Sequence, residues 1–541
     1  MKSQFILTLS VIMATLLSCN QDPKTVAKLG QVDLTVNCNS TAQEHFNQGL
    51  LYLHSFEYLD ARAAFIKAQQ ADSSCGMSYW GELMAYNHPL FNRELTRLVN
   101  PVFTKMGATK SARNKLFKSE MEKDLLTSVE ILFGQGSKQE RNKAYRDYYA
   151  KLAKKYKGNH EIEAFYALSL LSSPISDKTK NLYAQSAKIA QNILDDNPDH
   201  PGALHYMIHS YDYPSHAHLA IEAADRYAKV APDATHALHM PSHIYLAMGR
   251  WNEVINSNIN SWNASVRGRQ LNPQKEMGYH SLSWLQYGAL QRDENKLATQ
   301  VIHDMIDYLK TDKSILAKSY MVAMKGAHLV GTEEWTGAIA DLKINVDGLH
   351  LTKKSGYYFL EAMKAFTKGN KKDLKAYIDV IGKEKYVASL NLGDQSVAMC
   401  NTAGNPSIPP NQMDIDIVTI MENELKACLA HLNNDEVQRL KLLAEGASLF
   451  ERQNMTFGPP VIFKPIHEAY AEALIENNQY EKALTIIDKG LETAPRKLNF
   501  LKLKQQVAMK TNLAEVLQKV NEELETSLQS MSRKEVLKFK K

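Results

Sequence analysis

The sequence predicts an all-α protein of stacked helical hairpins, arranged as a curved solenoid of about eight to ten hairpins. Ala, Leu, Lys, Glu and Asn dominate the chain and β-branched runs are scarce, which favours helices over strands. The 541 residues include only 25 glycines and 17 prolines, so long unstructured linkers are not expected. Small and aromatic residues recur along the chain at similar spacings, which is typical of repeated helical units.

Residues 42–73 contain the clearest repeat. Its small and aromatic positions are Gly49, Tyr52, Ala61, Phe65 and Ala68. This pattern resembles the tetratricopeptide repeat (TPR), a helical hairpin of about 34 residues. Similar patterns occur at 201–232, in the two segments that follow, and at 464–495. Because one such hairpin cannot bury its own apolar face, the resemblance implies that neighbouring hairpins stack.

Four longer segments carry a closer resemblance, namely 77–91 (MSYWGELMAYNHPLF), 200–214 (HPGALHYMIHSYDYP), 236–251 (HALHMPSHIYLAMGRW) and 458–470 (GPPVIFKPIHEAY). They look like segments shared by a group of exported bacterial TPR proteins. The resemblance implies the fold and marks these segments as important, but it implies little about chemistry. The chain is also similar to helical glycan-binding outer-membrane lipoproteins, although it lacks their arginine-rich, tryptophan-bearing C-terminal segment.

The N-terminus predicts export and a lipid anchor. Lys2 precedes an apolar stretch over 5–17 that is too short to span a bilayer, so residues 1–18 are interpreted as a signal peptide. Residues 16–19 (LLSC) resemble a bacterial lipobox, which implies that Cys19 becomes the lipidated first residue. We therefore expect a protein of the cell envelope, on the periplasmic side or at the outer membrane, that contacts the membrane only through its lipid.

Turn-forming residues suggest how the remainder is divided. Residues 19–41 are interpreted as a lipidated linker and 42–385 as an N-terminal solenoid. The segment 386–413 contains Asn405-Pro406 and Pro409-Pro410, which predict a long loop between two sets of repeats. Residues 414–541 are then the C-terminal helical repeats.

Four cysteines remain after the lipobox. Cys38 and Cys75 flank the first hairpin, whereas Cys400 and Cys428 lie far along the chain. An exported compartment is oxidising, so each pair is a candidate disulfide, and free buried thiols are the alternative. The absence of C-x-x-C argues against a zinc ribbon or a thioredoxin-like centre.

Charge and motifs exclude several classes of function. The net charge is only +5 and no aromatic residues are interleaved with basic runs, so nucleic-acid binding is not expected. The sequence has neither a glycine-rich phosphate loop nor G-x-S-x-G, which argues against nucleotide-dependent and serine-hydrolase activities.

Histidine clustering is the strongest local signal. Of 18 histidines, eight lie within residues 200–243. By resemblance to TPR proteins, the first helix of each hairpin lines the concave face of the solenoid. The residues at the groove-facing positions of three successive hairpins are His205, His209 and Asp212, then His236, His239 and His243, then His280 and Tyr287. Neighbouring inner helices are therefore expected to direct these imidazoles towards one point.

Two H-x-x-x-H pairs on adjacent helices suggest a metal site, because residues four apart share a helix face. We expect His205, His209, His239 and His243 as ligands of a zinc, iron or copper ion, with His236 and Asp212 in support. Glu468 is the candidate catalytic base, by its groove-facing position in a later repeat. His280, Tyr287, Glu472 and His88 are the further candidates for the ligand groove.

Three functions follow from this pattern, and the sequence does not choose among them. The first is a groove that binds a peptide or protein partner, with a transition metal held by the histidines. The second is a metal-dependent hydrolase or oxidoreductase built in the groove. The third is an architectural scaffold of an envelope complex, with the groove filled by the helical segment 515–530.

Overall fold

The structure is a computed structural model that describes residues 27–172, 179–393, 408–453 and 458–528. The predicted signal peptide, Cys19, Cys400 and the middle of the predicted loop at 386–413 lie outside the described residues. Their predictions therefore stay predictions.

Helices make up almost all of the regular structure in the described ranges. The helices of the N-terminal half are α1 (Ser40–His54), α2 (Tyr58–Ala71), α3 (Gly76–Met84), α4 (Val99–Met106), α5 (Lys110–Asn114), α6 (Glu120–Leu132), α7 (Lys138–Lys155), α8 (His160–Leu171), α9 (Thr179–Asp196), α10 (Pro201–Ser210), α11 (Ile221–Val230), α12 (Thr235–His239), α13 (Pro241–Ala247) and α14 (Trp251–Leu271). Two short antiparallel strands, β1 (Asn87–His88) and β2 (Arg93–Glu94), lie between α3 and α4.

The C-terminal half continues in the same way. Its helices are α15 (Tyr279–Gln291), α16 (Asn295–Thr311), α17 (Ile315–Thr332), α18 (Ala338–Asp341), α19 (Leu351–Thr367), α20 (Lys371–Ser389), α21 (Gln412–Leu432), α22 (Glu436–Glu451), α23 (Ile466–Glu476), α24 (Tyr480–Thr493), α25 (Leu498–Lys510) and α26 (Ala514–Leu528).

Consecutive helices pack as hairpins. Within the described residues there are ten such pairs, which are α1/α2, α6/α7, α8/α9, α10/α11, α12–α13/α14, α15/α16, α19/α20, α21/α22, α23/α24 and α25/α26. Most hairpins also contact the next one, as α9 contacts α10 and α14 contacts α15. The predicted TPR-like solenoid of helical hairpins is confirmed.

Local sequence sets where these helices begin and turn. Ser119 and Ser137 each accept a backbone N–H of the third residue of their helix, while Glu122 and Glu140 reach back to the cap, so both helix starts are capping boxes. The tight turn between α23 and α24 places Asn478 at φ 60°, a left-handed conformation that asparagine tolerates better than most residues.

The repeat pattern of small and aromatic residues has a direct packing reason. The Phe65 ring lies between two glycines, and a Cβ atom would lie 2.6 Å from it at Gly49 and 2.3 Å from it at Gly81. Both distances are too short for a real contact, so only glycine lets the three helices approach Phe65 this closely.

The segment that precedes α1 packs on the body. Leu29 and Leu34 are buried, and the Gln31 backbone N–H donates to the Asp199 carbonyl over 3.0 Å. Cys38 and Cys75 form a disulfide, which is the first of the two pairings considered. Cys428 is a free thiol beside Met363. Residues 27–39 of the predicted linker are thus ordered against the N-terminal hairpins.

The last hairpins return to the middle of the chain. The Trp251 indole donates to the Arg496 carbonyl over 3.1 Å, and the Arg292 guanidinium donates to the Ser527 carbonyl over 2.8 Å. The Phe463 side chain wedges between α17 and α19, beside Gly326 and Gly356. These contacts join the C-terminal part of the chain to α14, to the end of α15 and to α17 and α19.

The buried core is divided elsewhere than at the predicted boundary. One large apolar cluster extends from Leu29 to Val254 and also includes Trp284 and Tyr287 of α15, and a second extends from Ile255 to Ala473. Helices α20 and α21, which flank the predicted loop, pack against each other. The boundary at 386–413 therefore stays a prediction. Helix α14 contributes residues to both clusters, Val254 to the first and Ile255 to the second.

In the described parts of the chain, no helix has both the length and the apolar character that crossing a bilayer requires.

We expect Gly326→Ala to destabilise the protein by about 1–3 kcal/mol, because the new Cβ would lie 2.5 Å from the Phe463 ring. Urea unfolding followed by circular dichroism measures this change. The matched control is Gly382→Ala, a mid-helix glycine whose new Cβ would meet Glu422 at an ordinary 3.6 Å. It should be neutral or stabilising by up to about 1 kcal/mol. Equal changes in the free energy of unfolding in both variants would contradict the close packing of Phe463 against Gly326.

Candidate metal centre

Three first helices of successive hairpins carry the predicted histidines. His205 and His209 lie on α10, His236 and His239 lie on α12, and His243 lies on α13. His280 lies on α15. Four of the rings, those of His205, His209, His239 and His243, are 0–2 % exposed. These four rings are enclosed between the hairpins, whereas His236 and His280 are partly exposed.

The rings converge as two groups rather than one. In the described residues, ligand-capable atoms of His205, His209 and His236 lie within 4.8 Å of one another. The same holds for His239, His243 and His280. We call these the first triad and the second triad. Pro241 lies between His239 and His243 and separates α12 from α13. The two histidines nevertheless remain on the same side of the chain.

The second triad has its ring orientations fixed by neighbours. His243 Nδ1 donates to Asp212 Oδ2 over 2.6 Å, and His239 Nδ1 donates to Asn258 Oδ1 over 2.7 Å. Asn258 presents its oxygen to His239 because its own Nδ2 donates to the Val254 carbonyl over 2.7 Å. Each Nδ1 is therefore a donor, which leaves Nε2 of each ring as the nitrogen that can bind a cation.

These two nitrogens face each other. His239 Nε2 and His243 Nε2 are 3.1 Å apart in a buried site. Two acceptors at this distance repel unless a proton or a metal ion lies between them. Burial, followed by the nearby His280 and His243, holds the pKa of His239 well below its usual range, so the His239 ring is neutral and presents its Nε2 lone pair. Two nitrogens bound to one tetrahedral zinc are about 3.3 Å apart, given bonds of about 2.0 Å.

His280 supplies the third corner of the second triad. Its ring centre lies 4.4 Å from that of His239, and its Nδ1 is 3.1 Å from the Tyr320 hydroxyl. Trp284, one turn further along α15, lies against His243 with ring centres 4.6 Å apart. Burial lowers the pKa of His280 to about 3, so this ring is also neutral.

The first triad has a similar arrangement. His205 Nδ1 donates to the His54 carbonyl over 2.8 Å, so its Nε2 carries the lone pair. Among the described residues, His205 Nε2 and His236 Nε2 are buried without a hydrogen-bond partner. Burial lowers the pKa of His205 to about 3. Buried acceptors without partners are costly, and a bound cation would satisfy both.

The two triads are neighbours. The His209 and His243 ring centres are 5.7 Å apart, and those of His236 and His239 are 6.1 Å apart. Phe56, from the turn after α1, covers the first triad with its ring centre 4.3 Å from that of His205. Phe56 has φ 56°, a left-handed conformation that a bulky side chain rarely adopts. The first hairpin, at the N-terminal end of the solenoid, thus covers the first triad.

A third cluster behind the first triad is different in kind. Glu161 accepts from His54 Nε2 over 2.6 Å and from His200 Nε2 over 3.1 Å. His54 Nδ1 is paired with the Tyr206 hydroxyl, and His200 Nδ1 accepts the Ala203 backbone N–H. Burial raises the pKa of Glu161, but His200 and His54 lower it further than burial raises it, so the carboxylate is ionised. Because every ring nitrogen has a partner, we assign this cluster a structural role.

The remaining predicted site residues lie outside both triads. Glu468 accepts from Lys497 and Asn499, and Lys464 donates to Glu472 over 2.6 Å. His88 stacks on Tyr58 with ring centres 3.8 Å apart. Tyr287 is buried against Trp251. The environment of Glu468 favours a buried ion pair over the predicted role of general base.

Sequence reasoning missed the residues that orient the rings. Asn258 lies on the second helix of its hairpin, Tyr320 lies on α17, and the His54 carbonyl comes from α1. The spacing of residues along one helix does not predict these contacts, because each of the three groups comes from a different helix. His280 was expected in the ligand groove, and the structure places it beside His239.

The comparisons with known proteins add little. No family model matches the chain, and no curated protein matches it. Similar solved structures include the APC/C hetero-tetramer Cut9–Hcn1 (TM-score 0.35, 11 % identity, 91 % of this chain and 74 % of that chain). Yeast Tom70 has a TM-score of 0.30 at 10 % identity over 90 % of this chain and 92 % of that chain.

The TPR domain of P58(IPK) has a TM-score of 0.22 at 12 % identity over 90 % of this chain and 99 % of that chain. Scores of this size carry no argument about function. The packing of successive hairpins itself defines the protein as a TPR-like helical solenoid.

We expect Glu161→Ala to destabilise the protein by about 3–5 kcal/mol, because two buried histidines would lose their shared acceptor. Chemical denaturation measures the change. Glu163→Ala, two positions further along α8, is the matched control and should cost less than about 1 kcal/mol. A Glu161→Ala variant as stable as the control would contradict the structural role of the cluster.

Proposed function

We propose that this protein binds transition-metal ions, of zinc, iron or copper, at the two histidine triads enclosed by its helical hairpins. One observation carries the proposal, which is the 3.1 Å separation of His239 Nε2 and His243 Nε2 with both Nδ1 atoms committed to acceptors. An ion between these nitrogens removes the repulsion and uses both lone pairs.

The chemistry of the ligands supports this class of ion. Neutral imidazole suits zinc, copper and iron, whereas calcium and magnesium prefer oxygen. The contacts of His243 with Asp212 and of His239 with Asn258 are of the kind that usually orient metal-bound histidines. The lowered pKa values of His205, His239 and His280 also favour metal binding, because a histidine must be unprotonated to bind a metal.

Each triad would leave coordination positions open. Structural zinc sites usually have four protein ligands, while sites that bind water or substrate keep three. Asp212 Oδ1 is buried without a hydrogen-bond partner among the described residues, while Oδ2 holds His243. A water bound to the ion is a suitable donor for this oxygen. The geometry therefore favours an ion that exchanges ligands over one that only holds the fold.

The architecture suggests a further, coarser role. Stacked helical hairpins form extended surfaces, which suggests a scaffold or a protein–protein interaction role. We propose that a peptide or protein partner binds the concave surface beside the triads. The triads themselves lie beneath Phe56 and Trp284, so the partner would contact their surroundings rather than all six rings.

We also propose that the protein is exported and lipid-anchored through Cys19. The lipobox-like residues 16–19 support this, and so does the Cys38–Cys75 disulfide, because disulfides persist in oxidising compartments. The proposed location is the periplasmic side of the cell envelope.

The metal proposal is tested by loading purified protein with zinc, removing free ions by gel filtration and measuring bound metal by mass spectrometry. We expect about two ions per chain, one for each triad. His239→Asn with His243→Asn should remove one ion, and His205→Asn with His236→Asn should remove the other. Asparagine retains a donor near the Nδ1 position but lacks the Nε2 ligand.

His218→Asn and His303→Asn are the matched controls, since both histidines are exposed. They should leave the metal content unchanged. Circular dichroism checks that each variant folds. Folded wild-type protein that emerges metal-free, or a folded double variant that keeps all its metal, would refute the proposal.

The anchor is tested by expressing the full chain and separating membranes from soluble periplasmic protein. The wild type should fractionate with membranes, and Cys19→Ser should be soluble, because one cysteine carries the lipid. Cys428→Ser, at a cysteine that lies within the folded body, is the control and should remain with membranes. A Cys19→Ser protein that stays in the membrane fraction would rule out this anchor.

A further inference from the structure

A cleft lies between α15, α17 and α19, beside the segment that carries Phe463. It is narrow, with about 40 Å³ of free space, and it is open towards solvent. Most of its wall is apolar, formed by Ala323, Met324, Ala327, Val330, Pro459 and Phe463. The cleft is distinct from both triads, although Ser283 and Tyr287 in its wall follow His280 along α15.

One charged side chain stands out in this wall. Lys353 is 3 % exposed, and its ammonium group has no ion pair or hydrogen-bond acceptor among the described residues. Burial lowers the pKa of Lys353 to about 8. At neutral pH the side chain is therefore still mainly a cation, and it has no counter-charge among the described residues.

The other buried lysines show what is missing. Lys325 pairs with Glu361 over 3.0 Å, Lys364 pairs with Asp341 over 2.8 Å, and Lys497 pairs with Glu468. Of the buried lysines in the described parts of the chain, Lys353 alone lacks a carboxylate. Lys353 and Lys497 both line the cleft, and only Lys353 has no carboxylate partner among the described residues.

Other polar groups in the wall are consistent with a ligand that enters from solvent. Gln286 Nε2 donates to the Met324 carbonyl over 3.1 Å, while its Oε1 is buried without a partner in the described residues. Lys497 and Asn499 are engaged by Glu468, so the negative charge of Glu468 is already compensated. The cleft therefore offers one uncompensated cation and one spare acceptor within an apolar surface.

We propose that this cleft binds a small carboxylic acid with an apolar body, whose carboxylate pairs with Lys353. The apolar part lies against Met324, Val330 and Phe463, and Gln286 Oε1 accepts a hydrogen bond from a donor group where the acid carries one. The site needs no metal ion, so it stands apart from the function proposed for the triads.

Isothermal titration calorimetry with three probes tests the proposal on the full folded chain. Hexanoate combines the two features, hexanol lacks the charge, and inorganic phosphate lacks the apolar body. We expect hexanoate to bind, and the other two to bind at least about tenfold more weakly. Lys353→Met should lower the hexanoate affinity by about tenfold or more, because methionine keeps much of the apolar stem and removes the charge.

Lys354→Met is the matched control. Lys354 is the next residue of α19, but it pairs with Glu384 outside the cleft. Its substitution should leave hexanoate binding unchanged. Thermal unfolding of both variants checks the fold, and Lys353→Met should raise the melting temperature because an unpaired buried charge is removed. If Lys353→Met does not fold, Lys353→Gln takes its place.

Several results would overturn the proposal. They are the absence of hexanoate binding to folded wild-type protein, an equal affinity in a folded Lys353 variant, or phosphate or hexanol binding as tightly as hexanoate. The same titration on protein treated with a chelator should give the same hexanoate affinity. The triads are tested by metal content and this site by hexanoate affinity, so either proposal can fail while the other stands.

Discussion

The side-by-side packing of α10, α12–α13 and α15 is the constraint on which the site depends. Each of these helices is the first of its hairpin, and stacking places them as neighbours with their histidine faces turned to the same interior. His239 and His280 come from different hairpins, yet their ring centres are 4.4 Å apart. Without the stack, neither triad would be complete, because each one combines histidines of two hairpins.

Burial of the rings then changes their protonation. Exposed histidines would titrate near neutral pH, whereas burial lowers the pKa of His205, His239 and His280 and keeps these rings neutral and ready to act as ligands. Three acceptors decide which nitrogen is left, namely the His54 carbonyl, Asp212 and Asn258. The first hairpin takes part twice, because it supplies that carbonyl and also Phe56, which covers the rings.

Some buried charged and polar groups have hydrogen-bond partners, and others have none. Around Glu161 and Glu468, buried carboxylates are matched by histidines or lysines at hydrogen-bond distance. These matched groups hold distant hairpins together and leave nothing available to a ligand. Unmatched groups occur at the proposed ligand sites, as His205 Nε2 and His236 Nε2 in the first triad and as Gln286 Oε1 in the cleft. A buried polar atom of this kind is satisfied when a ligand supplies its partner.

The sequence by itself determined the hairpins and the pairing of His205 with His209 and of His239 with His243, since both follow from local helix geometry. Only the tertiary structure decided that His236 joins the first pair and His280 the second, because that depends on how whole helices are offset. It also placed Asn258 and Phe56 at the rings and Lys497 beside Glu468. Such contacts join residues far apart in the chain, and no local pattern encodes them.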